Sequence, residues 1–398
     1  MKNPIFSVIF IFFFYSFSAC CPQSKPKEVI PGACQTEAYL PMLHGKRVGI
    51  LTNHTARIGQ IHLVDTLYSL GVDIQTIFAP EHGFRGSISA GGHVADEMDP
   101  QTGIPIISVY GALTMPTDSM MRQLDIMIYD IQDVGLRFYT YMTSMYYLME
   151  ACARNKVPLL LLDRPNPNGH YVDGPLLDME GHRSFVGIIP IPVVHGMTLG
   201  ELAGMINGKY WLKDSLQCDV TVIKCKNYTH HTLYSLPVPP SPNLPNDRSI
   251  YLYPALCPFE GTVVSLGRGT DAPFQIYGHS EMSGYDFSFT PVSVPAAPRS
   301  PQMDLLCFGV DLRSAPPNET IFKEGFTLKY IIDAFQNLNK NTRIEEGFFR
   351  GSFERLVGVS YIRPMILAGK SADEIKACWQ EDVAQFMKDR EPYLLYPL

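Results

Sequence analysis

The chain has 398 residues, 46% hydrophobic and 18% charged, with a net charge of -7. These values describe an ordinary globular protein long enough for two domains and exclude a chain that is mostly disordered. The acidic balance argues against a nucleic-acid groove, so no nucleic acid is expected among its partners.

Residues 1–19 carry one Lys and an apolar core from Ile5 to Phe17. That core is too short to span a bilayer comfortably and reads as a signal peptide. Ser18 and Ala19 before Cys20 resemble a lipobox, which implies acylation of the Cys20 thiol. The alternative is an ordinary signal peptide cut near this point, with Cys20 incidental. Residues 20–35, which include "CPQSKPKEVIPG", read as a tether. The expected location is periplasmic, with a lipid anchor holding the protein to a membrane.

From residue 36 to about 215 two textures alternate. "RVGILTN", "VDIQTIFAP", "IPIISVYG", "LDIMIYDIQ" and "VPLLLLDRP" are short apolar runs, as expected of strands buried on both faces. Between them "HLVDTLYSLG", "TDSMMRQL" and "YTYMTSMYYLMEACARNK" have helical spacing, and "TLGELAGMINGKYW" closes the region as a helix. The pattern predicts an α/β fold with a doubly wound parallel sheet.

Residues 216–398 change character and predict a smaller α+β domain that closes the cleft. "TLYSLPVPPSPNLPNDRS" reads as a long ordered loop, because apolar and aromatic residues are interspersed with its prolines. "GTVVSL" and "DLLCFGVDLR" look like strands, and "TLKYIIDAFQNLN" and "SADEIKACWQEDVAQFMKDR" like helices. Cys152 and Cys307 lie in apolar runs and are expected as buried thiols. Cys218 and Cys225 flank "DVTVIK"; as a strand it would hold them about 23 Å apart, too far to bridge.

Open parallel sheets bind ligands outside the carboxyl ends of their strands. At those ends stand Asn53 and His54, Glu81 and His82, Tyr110, Asp130 and Asp133, and Asp163 and Arg164. In "APEHGFRG", Pro80 stops ladder bonding while Gly83 and Gly86 permit a tight turn, so Glu81, His82 and Arg85 can be aimed at a ligand. Glu81, Asp163 and Asp130 are the candidate catalytic carboxylates, since environments that push two carboxyls apart supply an acid and a base. Each could instead cap a loop or helix. Arg85, Arg137, Arg164 and Arg268 are candidate anion binders, or alternatively loop tethers. Tyr139 and Asn166 complete the candidate substrate-binding set with Asn53 and His82. No cofactor and no metal are expected: neither G-x-G-x-x-G after the first strand nor G-x-S-x-G occurs, and His54 and His82 lack a third ligand at a suitable spacing.

The set "GILTN", "FAPEHGFRG", "YDIQDVGLRFYTY", "LDRPNPNG", "PVVHGMTLGELA", "PSPNLPN" and "CPFEGTVVSLGRGT" resembles the bacterial exo-β-N-acetylmuramidase (NamZ-type) family. The resemblance runs from about residue 36 to the C-terminus. It implies a Rossmann-like domain joined to a smaller one, with the site at their junction. It also implies release of N-acetylmuramic acid from non-reducing ends of peptidoglycan-derived muro-oligosaccharides, in cell-wall turnover or recycling, with Glu81 as the acid. The second group is left open between a carboxylate and the substrate's own acetamido group. Two rival readings are a solute-binding lipoprotein for cell-wall sugars or peptides, which needs no catalytic acid, and a metal-dependent hydrolase of cell-wall peptides, which a chelator would inactivate.

Overall fold

The computed structural model describes residues 27–81, 83–85 and 96–398. The leader with Cys20, and His82, lie outside these residues.

Seven strands form the central sheet: β1 (Val48–Thr52), β2 (Ile74–Ala79), β3 (Glu97–Met98), β4 (Pro105–Ser108), β5 (Ile126–Asp130), β6 (Leu159–Leu162) and β7 (Val220–Ile223). Their order is β3-β4-β2-β1-β5-β6-β7, parallel except for the short edge strand β3. All five apolar runs are strands of this sheet, and the reason is visible in their side-chain alternation. In β5, Ile126 and Ile128 join a core with α1 (Thr36–Leu43) and α2 (Leu63–Ser69), while Met127 and Tyr129 join the core on the opposite face. That face carries α3 (Tyr141–Asn155) and α4 (Leu199–Gly208). Burial on both sides removes the polar positions that a half-exposed strand would show.

The second half begins with α5 (Asp247–Leu256) and contains an antiparallel sheet of β8 (Ile276–His279), β9 (Phe287–Phe289) and β10 (Cys307–Asp311), with β10 in the middle. It ends with α6 (Lys329–Thr342) and α7 (Gln380–Arg390). One hydrophobic core runs from Met127 and Tyr129 through α3 to Phe335 on α6 and Trp379 before α7. The two halves therefore share an interior. The fold is α/β and Rossmann-like, with a smaller α+β second half.

Two expectations are corrected. The first sheet does not stop near residue 215, because β7 pairs with β6 as its last strand. Being a partly exposed edge, β7 lacks the continuous apolar run of its neighbours. The chain's end also returns to this sheet: the Tyr396 hydroxyl donates to Asp163 at 2.6 Å and the Leu395 N–H to Glu201 at 2.8 Å. "GTVVSL" is no strand. Its backbone pairs in single bridges with two different segments, Thr262 with Phe349 and Ser265 with Gly278, so no ladder builds. Cys152, Cys218, Cys225 and Cys307 are buried free thiols.

Candidate active site

Where the halves meet lies a cavity of about 130 Å³. Glu81 lines it, placed there by the end of β2: Pro80 closes the strand, and its carbonyl accepts from the Gly83 N–H at 3.0 Å to make the turn. Both carboxyl oxygens are held. Tyr110, just beyond β4, donates to Oε1 at 3.0 Å, and Thr140, just before α3, donates to Oε2 at 2.7 Å. Burial, together with the adjacent Glu81 charge, pushes the Tyr110 hydroxyl above its usual pKa, so it stays a donor.

The second half supplies the other walls. Its proline-rich loop lies against the first half, with the Pro239 carbonyl 2.9 Å from His54 Nε2 and the Pro240 carbonyl accepting from the Tyr139 hydroxyl at 2.8 Å. Ser241 and Leu244 of that loop line the cavity. Asn246 then caps α5 in a reciprocal pair with Ser249, satisfying backbone donors that the helix start leaves open. The turn after α5 brings Glu260 to the cavity, and "SLGRGT" brings Arg268. Gly267 and Gly269 flank Arg268 at φ +82° and +84°, and a Cβ on Gly269 would lie 2.3 Å from the Val292 carbonyl oxygen. Only glycine fits that turn. Arg268 donates to Glu260 from Nε at 2.7 Å and also from Nη2, and its guanidinium lies 5.0 Å from the Phe274 ring centre.

Of the residues singled out by sequence, Glu81, Tyr139 and Arg268 line this cavity. His82 lies outside the described residues, and the others lie elsewhere, engaged by protein. Asp130 and Arg164 form a buried two-bond ion pair, at 2.5 and 2.9 Å. Asp163 accepts from the Thr198 hydroxyl at 2.7 Å and the Gly200 N–H at 2.9 Å at the start of α4, besides Tyr396. Burial raises its pKa to about 6. Asn166 donates to the Met197 carbonyl at 2.9 Å and accepts from the Asn168 N–H at 2.8 Å. Arg85 pairs with Asp99 at 2.8 Å and with Asp65 at 3.4 Å. Arg137, 0% exposed, donates to the carbonyls of Pro175, Ile191, Leu356 and Val357. Asn53 is buried at the switch between β1 and β5; its Oδ1 accepts from Thr55, and its Nδ2 has no partner among the described residues. The single rim expected from the strand ends is thus divided: β2 and β4 end at the cavity, while the ends of β5 and β6 are tied up by protein groups.

Sequence reasoning passed over Glu260 and Thr140. The signal was present for Glu260, which stands in "CPFEGTVVSLGRGT" ahead of Arg268. Among the described residues no three His, Cys, Asp or Glu side chains are grouped to hold a metal ion.

Models of two families match: "Exo-beta-N-acetylmuramidase NamZ, N-terminal" over residues 48–248 and "Exo-beta-N-acetylmuramidase NamZ, C-terminal" over residues 251–396. The chain is 36% identical to the peptidoglycan beta-N-acetylmuramidase NamZ of Bacillus subtilis (strain 168), over 423 aligned residues covering all of both chains. A crystal structure of a DUF1343 family protein from Bacteroides fragilis NCTC 9343 is 56% identical with a TM-score of 0.86, covering 93% of this chain and 99% of that one. A second DUF1343 structure from the same organism is 26% identical with a TM-score of 0.80, covering 92% and 99%. With both halves matched in order and a full-length relative at this identity, the chain belongs to the exo-β-N-acetylmuramidase NamZ family of glycoside-cleaving enzymes.

Proposed function

We propose that this enzyme releases N-acetylmuramic acid from the non-reducing ends of peptidoglycan fragments during cell-wall turnover, with Glu81 as the general acid. The substrate class follows from the family and from the name of the Bacillus relative. The observation that supports the acid is Glu81 itself: a carboxyl lining a cavity between the halves, steadied by a hydroxyl donor at each oxygen. Glycoside cleavage passes through an oxocarbenium-like state and needs a proton on the departing oxygen. A carboxyl fixed at both oxygens can present that proton in one direction. Arg268 is assigned to the lactyl carboxylate, since its Nη1 makes no hydrogen bond among the described residues while Glu260 fixes the rest of the fork. Asp130 and Asp163 are assigned to the scaffold.

Replacing Glu81 by Gln keeps the shape and removes the proton. Turnover of an unactivated muramic disaccharide is expected to fall by about 10² to 10⁴-fold. An aryl muramide with a good leaving group should lose much less, because it needs little protonation. Near-normal rates on both substrates would rule out the role.

The reading places the enzyme at a membrane facing the periplasm, supported by "FSAC" at the end of the apolar leader. Metabolic labelling with a fatty acid is expected to tag the wild type and not Cys20→Ala. Equal labelling of the two overturns the anchor.

A further inference from the structure

Beside the catalytic cavity lies a larger groove of about 880 Å³, walled by α3, residues 183–190 and residues 211–213. A recess of about 390 Å³ joins the two: it shares Glu260 and Leu356 with the cavity, and Ser184 and Phe185 with the groove. Aromatic rings mark the same route. Tyr110, which holds Glu81, meets Phe185 edge to face at 5.7 Å, and Phe185 stacks with Tyr147 at 6.3 Å.

Two polar groups on this route lack a partner among the described residues. Glu150 lines the groove at 5% exposure and makes no hydrogen bond or ion pair there. The Ser184 hydroxyl is buried and unbonded. A buried hydroxyl without a partner is costly, and an unbonded carboxylate lining the same groove is a ready acceptor, so the two point to a ligand that supplies the missing groups.

We propose that the groove holds the departing glycan, the sugars on the reducing side of the bond cleaved at Glu81. Phe185, Tyr147 and Trp211 line the groove and offer apolar surface to pyranose rings. Glu150 accepts hydrogen bonds from their hydroxyl or amide N–H groups. The departing N-acetylglucosamine units are neutral and donor-rich and suit Glu150, while Arg183 and Lys213 in the same lining can meet the lactyl carboxylate of the muramic residue between them, and the route from Glu81 is the one that a strand leaving the cavity would follow. The proposal rests on the muramidase reading, and its test separates the two.

The wild type is assayed on an aryl muramide, a peptide-free disaccharide and a peptide-free tetrasaccharide, the last two beginning with N-acetylmuramic acid. With a hydrogen bond to a charged group gained beyond the first departing sugar, the kcat/KM ratio of tetrasaccharide to disaccharide should be about tenfold or more. Glu150→Gln, which keeps the shape, and Trp211→Ala should each bring the ratio toward one. Circular dichroism checks that both variants fold. A wild-type ratio of one, with the aryl muramide still cleaved, overturns the groove alone. A ratio that neither variant lowers also overturns it, and a gain that appears only with peptide-bearing substrates gives the groove to the stem peptide instead. Failure to cleave any muramide, the aryl one included, removes the muramidase reading and this proposal with it.

Discussion

Arg85, Arg137, Arg164 and Arg268 carry the same guanidinium and end in four different settings. Two are taken by carboxylates away from the cavity, one by four backbone carbonyls, and one reaches the cavity with its Nη1 unbonded among the described residues. N-acetylmuramic acid differs from N-acetylglucosamine by a lactyl ether whose carboxylate can use that edge. Arg268→Met is therefore expected to lower kcat/KM for muramic substrates, relative to the matching glucosaminides, by roughly 10² to 10³-fold, the cost of a buried charge pair broken on one side. Equal losses on both substrates would show that Arg268 merely supports Glu260. The position of Glu81 was legible in the sequence because proline and glycine around it dictate a turn at a strand end. The fate of the arginines was not. It depends on partners such as Asp99 and Leu356, which the fold selects and local pattern does not.

At the scale of elements, legibility followed burial. β1, β5 and β6 are buried along their whole length and β2 over its last three residues, and α4 announces itself by Thr198 and Glu201, which cap it reciprocally. The proline-rich loop was readable as ordered because its apolar residues need somewhere to go, and Leu244 goes into the cavity wall. β7 was readable as a strand but not as part of the first sheet, since an edge strand at the end of a long connection carries no mark of its neighbour. "GTVVSL" has the composition of a strand, yet strand pairing needs a partner running alongside for several residues. The candidate site shows the same limit: Glu81, Tyr110 and Thr140 come from three separate loops, and only the sheet order places them together.

Across the whole molecule, Arg137 joins the halves. Its donors reach Pro175 and Ile191 on one side and Leu356 and Val357 on the other, and burial lowers its pKa to about 9. Gly358 makes the approach possible: at φ +79°, a Cβ there would stand 2.4 Å from Arg137 Nη2. Arg137→Met would leave these buried carbonyls without that donor, at about 1 to 3 kcal/mol for an unsatisfied group. A loss of about 3 kcal/mol or more in urea unfolding is expected, with reduced turnover because Leu356 lines the cavity. Stability within about 0.5 kcal/mol of wild type would show that the join does not depend on this residue.

The shared core has a kinetic meaning as well. Binding proteins that swallow a solute open and shut two lobes about a hinge, and each cycle waits for that motion. In this protein such an opening would split one continuous interior and break the Arg137 bonds together. The two halves work as a socket rather than as jaws. Capture of a glycan end is then expected to be paced by how often an end arrives in the right orientation rather than by a separation of the halves.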